Sequence, residues 1–599
     1  MKKISLFFGF LMFSVWSLFG VNVDQEQDQD GATTYQIIKN FTRSERAEKY
    51  ANSRFGSRNL YPAQMLNEAD SAWKELDMDV LIAKLDRTYT APGSVEFRKL
   101  MHPTSDKDEL LIRQEFVKVL LDNQEEFEKI CDVLSVFAQE YENNFITILE
   151  PLNLDPFDLV RKNAILPMTS STKFNLLFQL GMMFFGTGQA IAYDLFHVRQ
   201  DMQQIVQPGW RMRAWLGLNG FGVLTALAYS CYYNVLAVKN MVNQIPQADG
   251  LALKVGQGFS LMRKLSNVLN QNYDFQDSEP AQLFNNVFVS GSEQLRDTIH
   301  EILERERLEK AAETSYASTA YKYWSMPDSL DLFYKIKAAR DVFARMLHAV
   351  GVLDAYVSIV RLYHEWEQKN IPVVFAEYEE ENIPHHDFRD LYNPLVDFSV
   401  ANDFVLGGSN KARHAVLTGP HACGKTTSMH TLADGYLLGQ TITILPARKA
   451  SFVPLTAVKT YFNIGDNLSE GLSSFTAEHG RLDELTHDAQ GLKPDDRCLM
   501  LVDEPLAKTI QIIGEPRVTK FIKDLLVIKP LMLVVATHFE DPARLEADTN
   551  GFVKNMQPEV GVLTSNQFKP TYKIIDGKAD WWFHDKQKRE AFVNWLLKK

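Results

Sequence analysis

The sequence predicts an all-α domain followed by an α/β domain built on a mostly parallel sheet. Residues 76–145 and 240–370 repeat apolar side chains at three-four spacing, as in "DELLIRQEFVKVLLDNQEEFEKI" and "LDLFYKIKAARDVFARMLHAVGVLDAYVSIVRLYHEW". That spacing is the stripe of packed helices. From about Phe388 the texture changes, and the β-rich runs "HAVLTG", "RCLMLVDE" and "LMLVVATH" alternate with helical segments. Such alternation points to parallel strands joined by helices. The first of these runs leads into "GPHACGKTT", a glycine-rich turn between a strand and a helix.

That turn carries the most specific chemistry in the chain. Gly419-Pro420-His421-Ala422-Cys423-Gly424-Lys425-Thr426 fits G-x-x-x-x-G-K-[ST] at every fixed position, and Thr427 follows in the helix that it opens. Glycines at these places let backbone N–H groups turn inward around phosphates, and the helix N-terminus adds its positive dipole end. Lys425 would reach the β- and γ-phosphates and Thr426 would place its hydroxyl on Mg²⁺. Asp503 and Glu504 end the apolar run "CLMLVDE". Asp503 is the expected second metal ligand, and Glu504 the group that polarises the attacking water. His538 closes "VVATH" at another strand end, where a γ-phosphate sensor could sit; alone, a histidine there is more often structural. The expected cofactors are therefore ATP and Mg²⁺.

With 599 residues the chain needs several cores. The expected division is a signal-like or anchor segment over 1–23, a polar linker over 24–70, a helical core or lever domain over 71–387, and an ATPase domain over 388–599. Lys2 and Lys3 precede an uncharged run from Ile4 to Val23. It reads as a signal sequence or an uncleaved anchor. Two later apolar runs, 174–198 and 214–238, each reach the length that spans a bilayer. Both a membrane hairpin and a pair of buried helices stay open for them. If all three runs crossed a membrane, the phosphate loop would end up outside, away from ATP. The expectation is therefore membrane association with a cytoplasmic ATPase domain, one run not crossing. Net charge is −13, so any DNA contact needs a local basic surface. The four cysteines, Cys131, Cys231, Cys423 and Cys498, form no C-x-x-C pair, which indicates neither a zinc site nor a disulfide framework.

Several stretches together resemble the MutS family of DNA mismatch-repair ATPases. "LTGPHACGKTT" is similar to its phosphate loop, and "LPARKASFVPLTAVKTYFNIGDNLSEGLSSFTAE", "LMLVDE" and "ATHF" follow in the family's order. "NPLV" at 393–396 with Phe404 resembles the segment bearing an adenine-stacking aromatic, and "TYKIIDG" at 571–577 resembles a later strand. The likeness covers about 76–150 and 340–578. It implies an ABC-type P-loop ATPase that works as a dimer, each site completed by a serine of the partner. Ser473 matches that serine, and Ser474, Phe475 and Glu478 match its supporting positions. DNA as a partner and mismatch repair as a role come from the resemblance alone.

The chain also departs from the family pattern. His421 stands where asparagine is usual and Cys423 where glycine is usual. The turn after Glu504 reads "PLAKT", with only Thr509 fitting a "GRGT"-like pattern. No counterpart of the mismatch-reading domain precedes the helical part, and Phe375-Ala376-Glu377 mimics its Phe-x-Glu motif in the wrong place. Two other functional readings stand beside a DNA-acting ATPase: a membrane-tethered ATP-driven switch, and an ATP-binding module with degenerate hydrolysis.

Overall fold

A computed structural model describes residues 70–149, 250–288, 299–300, 335–336, 338–408, 412–462, 474–564 and 567–597. The signal-like segment, nearly all of the polar linker, the apolar runs 174–198 and 214–238, and Ser473 lie outside these residues.

Up to Gln368 the described structure is helical. Helix α1 (Ala91–Leu100) starts at Thr90, whose Oγ1 accepts from the Gly93 amide at 2.9 Å, with Pro92 in the first turn. Helices α2 (Lys107–Asp122) and α3 (Gln124–Glu140) follow, and α4 (Arg340–Gln368) runs through the middle. Helix α4 is long and apolar enough to cross a membrane, but 83% of its most apolar window is buried within the fold. Apolar residues all round its circumference are what a central packing helix requires. Where α1 crosses it, a Cβ on Gly351 would stand 2.8 Å from the carbonyl oxygen of Pro92, so only glycine permits this approach. The buried Asp354 carboxylate accepts from the amides of Tyr89 (3.0 Å) and Thr90 (2.7 Å) and from the Thr90 hydroxyl (2.7 Å). Those bonds replace the water that the charge loses.

Strands begin at β1 (Val374–Phe375) and β2 (Glu377–Tyr378), ahead of the boundary expected at 388. Two-residue strands are too short to alternate visibly in sequence. Next come β3 (His386–Leu391), β4 (Asn402–Leu406), β5 (His414–Thr418), helix α5 (Lys425–Gly439), β6 (Ile444–Leu445), β7 (Lys449–Phe452) and β8 (Ala457–Tyr461). Helix α6 (Ser474–Gln490), β9 (Cys498–Asp503), helix α7 (Gln511–Leu525), β10 (Leu531–Thr537), β11 (Val553–Thr564) and β12 (Gln567–Asp576) complete the series used below.

The main sheet has the order β12-β11-β5-β10-β9-β8. Its strands are parallel except for the edge strand β12, which pairs antiparallel with β11. Strands β5 and β10 are buried along their whole length, which explains their unbroken apolar sequences. A second sheet, β2-β7-β3-β4, packs on α5 through Phe388 and Phe452, whose rings lie 5.3 and 5.1 Å from that of Tyr436.

The helical and α/β parts share one continuous core and a buried polar joint. Gln440, at the end of α5, donates to the carbonyls of Thr104 (2.8 Å) and Leu455 (2.9 Å) and accepts from the Leu455 amide (2.9 Å). Arg113 and Gln114 of α2 donate to the carbonyls of Thr441 (3.1 Å) and Ala376 (2.9 Å). The helix that begins at the phosphate loop is thus fixed at its far end to the helical domain.

Candidate nucleotide-binding site

Strand register gathers the candidate residues. Thr418 pairs with Thr537, and Asp503 pairs with Ala536, so β5, β9 and β10 end at one level of the sheet. The loops leaving those ends carry Gly419–Thr426, Glu504 and His538. The carboxyl ends of parallel strands are where open α/β sheets bind ligands.

The 419–424 loop turns as its sequence predicts. Gly424 has φ +97°, and a Cβ there would stand 3.2 Å from Cδ1 of Tyr572. Both its conformation and its neighbour therefore exclude a side chain. Ala422 also has positive φ (+61°), and Pro420 and His421 complete the curve. Cys423 is buried, and its thiol donates to the Pro420 carbonyl at 2.8 Å. Burial pushes that thiol above its usual range, so it acts as a small packed group.

Lys425 is buried and folds back under the loop. Its Nζ donates to the carbonyls of Gly419 (2.9 Å) and Pro420 (2.7 Å) and pairs with Glu504 Oε1 at 2.9 Å. The other Glu504 oxygen, Oε2, lies 2.6 Å from His421 Nδ1. Glu504 has φ +45°, and its amide donates to the Ala536 carbonyl at 2.9 Å. An acidic residue in this sparsely populated region is held there by its surroundings. The imidazole of His538 lies 5.2 Å from that of His421, and burial lowers its pKa, favouring the neutral form.

Thr426 Oγ1 donates to Asp503 Oδ2 at 2.6 Å. Asp503 Oδ1 is buried without a hydrogen-bond partner, and burial raises this carboxyl above the usual carboxylate value. An unsatisfied buried acceptor beside a hydroxyl is a donor set that suits a hard cation such as Mg²⁺. Thr427, in the first turn of α5, offers its carbonyl to Thr431 at 2.8 Å.

Phe404 is placed differently from its expected role. It lies in β4 opposite Phe388, is 5% exposed and belongs to the hydrophobic core, so its ring has no free face for a base. The rings of Tyr572 and Phe398 are both accessible, and Tyr572 adjoins the phosphate loop. Tyr572 stands against Gly424, while Phe398 is fully exposed in the loop before β4, at φ +59°. Asn393 ties that loop to α5 through Thr431 (3.1 Å), and Lys573 reaches the Ala401 carbonyl at 2.6 Å. Tyr572 sits inside "TYKIIDG", but nothing in the alternation of that strand marks which ring reaches the loop. Further out, Thr509 Oγ1 lies 3.4 Å from Glu478 Oε2, which joins two residues that the family pattern retains.

A phosphate loop, a strand-end Asp-Glu pair and a parallel sheet in this order define a P-loop nucleoside-triphosphatase domain. The family model of MutS domain V matches residues 415–584. The DNA mismatch repair protein MutS of Persephonella marina is 22% identical over 531 residues, covering 83% of this chain and 55% of that protein. The protein of the same name from Chlamydia trachomatis is 28% identical over 262 residues, 42% of this chain and 30% of its own length. Endonuclease MutS2 of Streptococcus suis is 28% identical over 228 residues, 38% and 27% of the two chains. The chain is similar to proteins of the MutS family over these stretches, and it spans about half or less of the length of these relatives.

Proposed function

We propose that this chain is a Mg²⁺-dependent ATPase of MutS type, acting as a homodimer whose nucleotide sites drive a conformational change in the helical domain. The observation that carries the reading is the Thr426–Asp503 contact at 2.6 Å beside the Lys425–Glu504 pair at 2.9 Å. Thr426 and Asp503 would hold Mg²⁺, which supplies neutralisation of the phosphate charge. Lys425 binds the β- and γ-phosphates after releasing the carbonyls of Gly419 and Pro420. That move frees Glu504 Oε1, and Glu504 then accepts a proton from the attacking water. His421 and His538 face the γ-phosphate from the loop and from β10. Tyr572, which stands against Gly424, offers a stacking surface for the base.

Ser473 is assigned to the site of the partner copy by its match to the family pattern. DNA is the proposed macromolecular partner, reached through the helical domain, since each of these relatives is named for DNA repair or nuclease action. The ATPase domain is placed on the cytoplasmic side of any membrane that the 1–23, 174–198 or 214–238 segments engage, because that side holds ATP. Glu504→Gln tests the chemistry: it is expected to keep ATP binding while lowering turnover by about 10²–10⁴-fold. Unchanged turnover would remove Glu504 from the mechanism.

A further inference from the structure

His421, Glu504 and His538 come from three separate segments and bring one ligand atom each to within 4.8 Å of one another. Two imidazoles and a carboxylate form a donor set that suits Zn²⁺ and its first-row neighbours. The Thr426–Asp503 pair is the opposite kind, all oxygen, and suits Mg²⁺. The two sets are chemically distinct although they share the strand end at 503–504.

The geometry can accept a metal with little rearrangement. Around a tetrahedral ion with bonds of about 2.1 Å, donor atoms stand about 3.4 Å apart. His421 Nδ1 is now 2.6 Å from Glu504 Oε2, so this ring has to retreat by less than about 1 Å. The His421 side chain is 62% exposed, which leaves it that freedom. Glu504 Oε1 stays with Lys425, so Glu504 binds through Oε2 alone. The Lys425 charge weakens the site without occupying it.

We infer that His421, Glu504 and His538 constitute a site for a divalent transition-metal ion of the Zn²⁺ kind, separate from the Mg²⁺ site, and that its occupancy restrains the nucleotide site. A bound ion holds Glu504 between the two imidazoles and occupies the space that the γ-phosphate must enter. This second consequence rests on the ATPase reading; the metal site itself does not.

Co²⁺ is the probe. The nucleotide-free full-length chain is titrated with Co²⁺, visible absorption is recorded, and Zn²⁺ is then added as competitor. The expected result is one Co²⁺ per chain with the intense visible bands of tetrahedral coordination, displaced by Zn²⁺. His421→Asn and His538→Ala are each expected to weaken binding at least tenfold, while His385→Ala, in the separate Glu379–Glu381–His385 cluster, leaves it unchanged. Circular dichroism checks that each variant is folded, and the exposure of His421 makes His421→Asn the safer of the two. Co²⁺ binding that both variants leave intact, or the absence of tetrahedral bands, overturns the site. In a parallel assay with Mg²⁺-ATP well below its KM, Zn²⁺ at its measured Kd is expected to halve turnover. Binding without that inhibition overturns the restraint, whereas no turnover even without Zn²⁺ overturns the ATPase reading instead.

Discussion

Gln440→Ala should separate the nucleotide site from the helical domain, and the structure sets the size of the effect. The side chain is fully buried and makes three hydrogen bonds, one across the joint to Thr104 and two that brace it against Leu455 within the α/β part. Truncation leaves the Leu455 amide without its partner, which costs about 1–3 kcal/mol. The carbonyls of Thr104 and Leu455 each lose one donor, adding roughly 0.5–1 kcal/mol apiece. The backbone bond from the Thr104 amide to the Gln440 carbonyl at 3.1 Å survives, which limits the loss. The total is about 2–5 kcal/mol. With a urea slope near 3 kcal/mol per molar, the unfolding midpoint should fall by about 1 M. Tryptophan fluorescence is the assay, because Trp73 is buried in the helical domain against His102, with ring centroids 4.9 Å apart. Gln440→Glu is the companion variant, placing a charge where both carbonyls need a donor, and should be worse. A midpoint within 0.2 M of wild type for Gln440→Ala would refute the claim that this joint holds the two parts together.

Asp503→Asn is expected to raise the stability of the nucleotide-free protein by about 1 kcal/mol while abolishing Mg²⁺-dependent nucleotide binding, because it removes a buried charge with an unsatisfied oxygen; thermal melts with and without Mg²⁺-ATP check both halves. His414 is buried, and burial with the neighbouring Arg413 charge lowers its pKa to about 3. Its stabilising neutral form is fully present above the usual histidine value, and stability is lost as pH falls from 6.5 towards 3, by about 1.4 kcal/mol per pH unit. His414→Asn should flatten that slope in urea melts run between pH 7 and pH 5. Mixing Lys425→Ala and Ser473→Ala chains should restore roughly a quarter of wild-type turnover, since half of the dimers then hold one intact site; no recovery in the steady-state assay would remove Ser473 from the partner's site.

The site was legible where chemistry dictates sequence at short range. The loop from Gly419 to Thr426 favours glycine at 424, where φ is +97° and Tyr572 stands close, with a lysine next to it, and the apolar run before Asp503 announces a buried strand. Register then brings Asp503 to Thr426, a contact between residues 77 positions apart that no local pattern states. The aromatic choice was not legible for the same reason. Phe404 and Phe398 stand six residues apart in similar composition, yet β4 pairing with β3 buries the first and a left-handed turn exposes the second. The start of the α/β part was also hidden, because β1 and β2 gain their partners from β6 and β7, more than sixty residues away.

The contacts of Lys425 give the closed site its character. Four partners hold the two side chains to which the proposed function gives the phosphate and water roles: two loop carbonyls and Glu504 for the lysine, and His421 for the glutamate. On the proposed reading these contacts yield as phosphates enter, so part of a nucleotide's binding energy would be spent opening the loop. The same loop opens helix α5, whose other end is fixed through Gln440 to the helical domain. A displacement at Lys425 therefore has a rigid path of fifteen residues along which to act. His421 is the residue that sets how firmly the closed state is held. An asparagine there could still hydrogen-bond Glu504, but it offers no imidazole ligand. Replacing it should loosen the closed state while leaving Lys425, Thr426 and Asp503 in place.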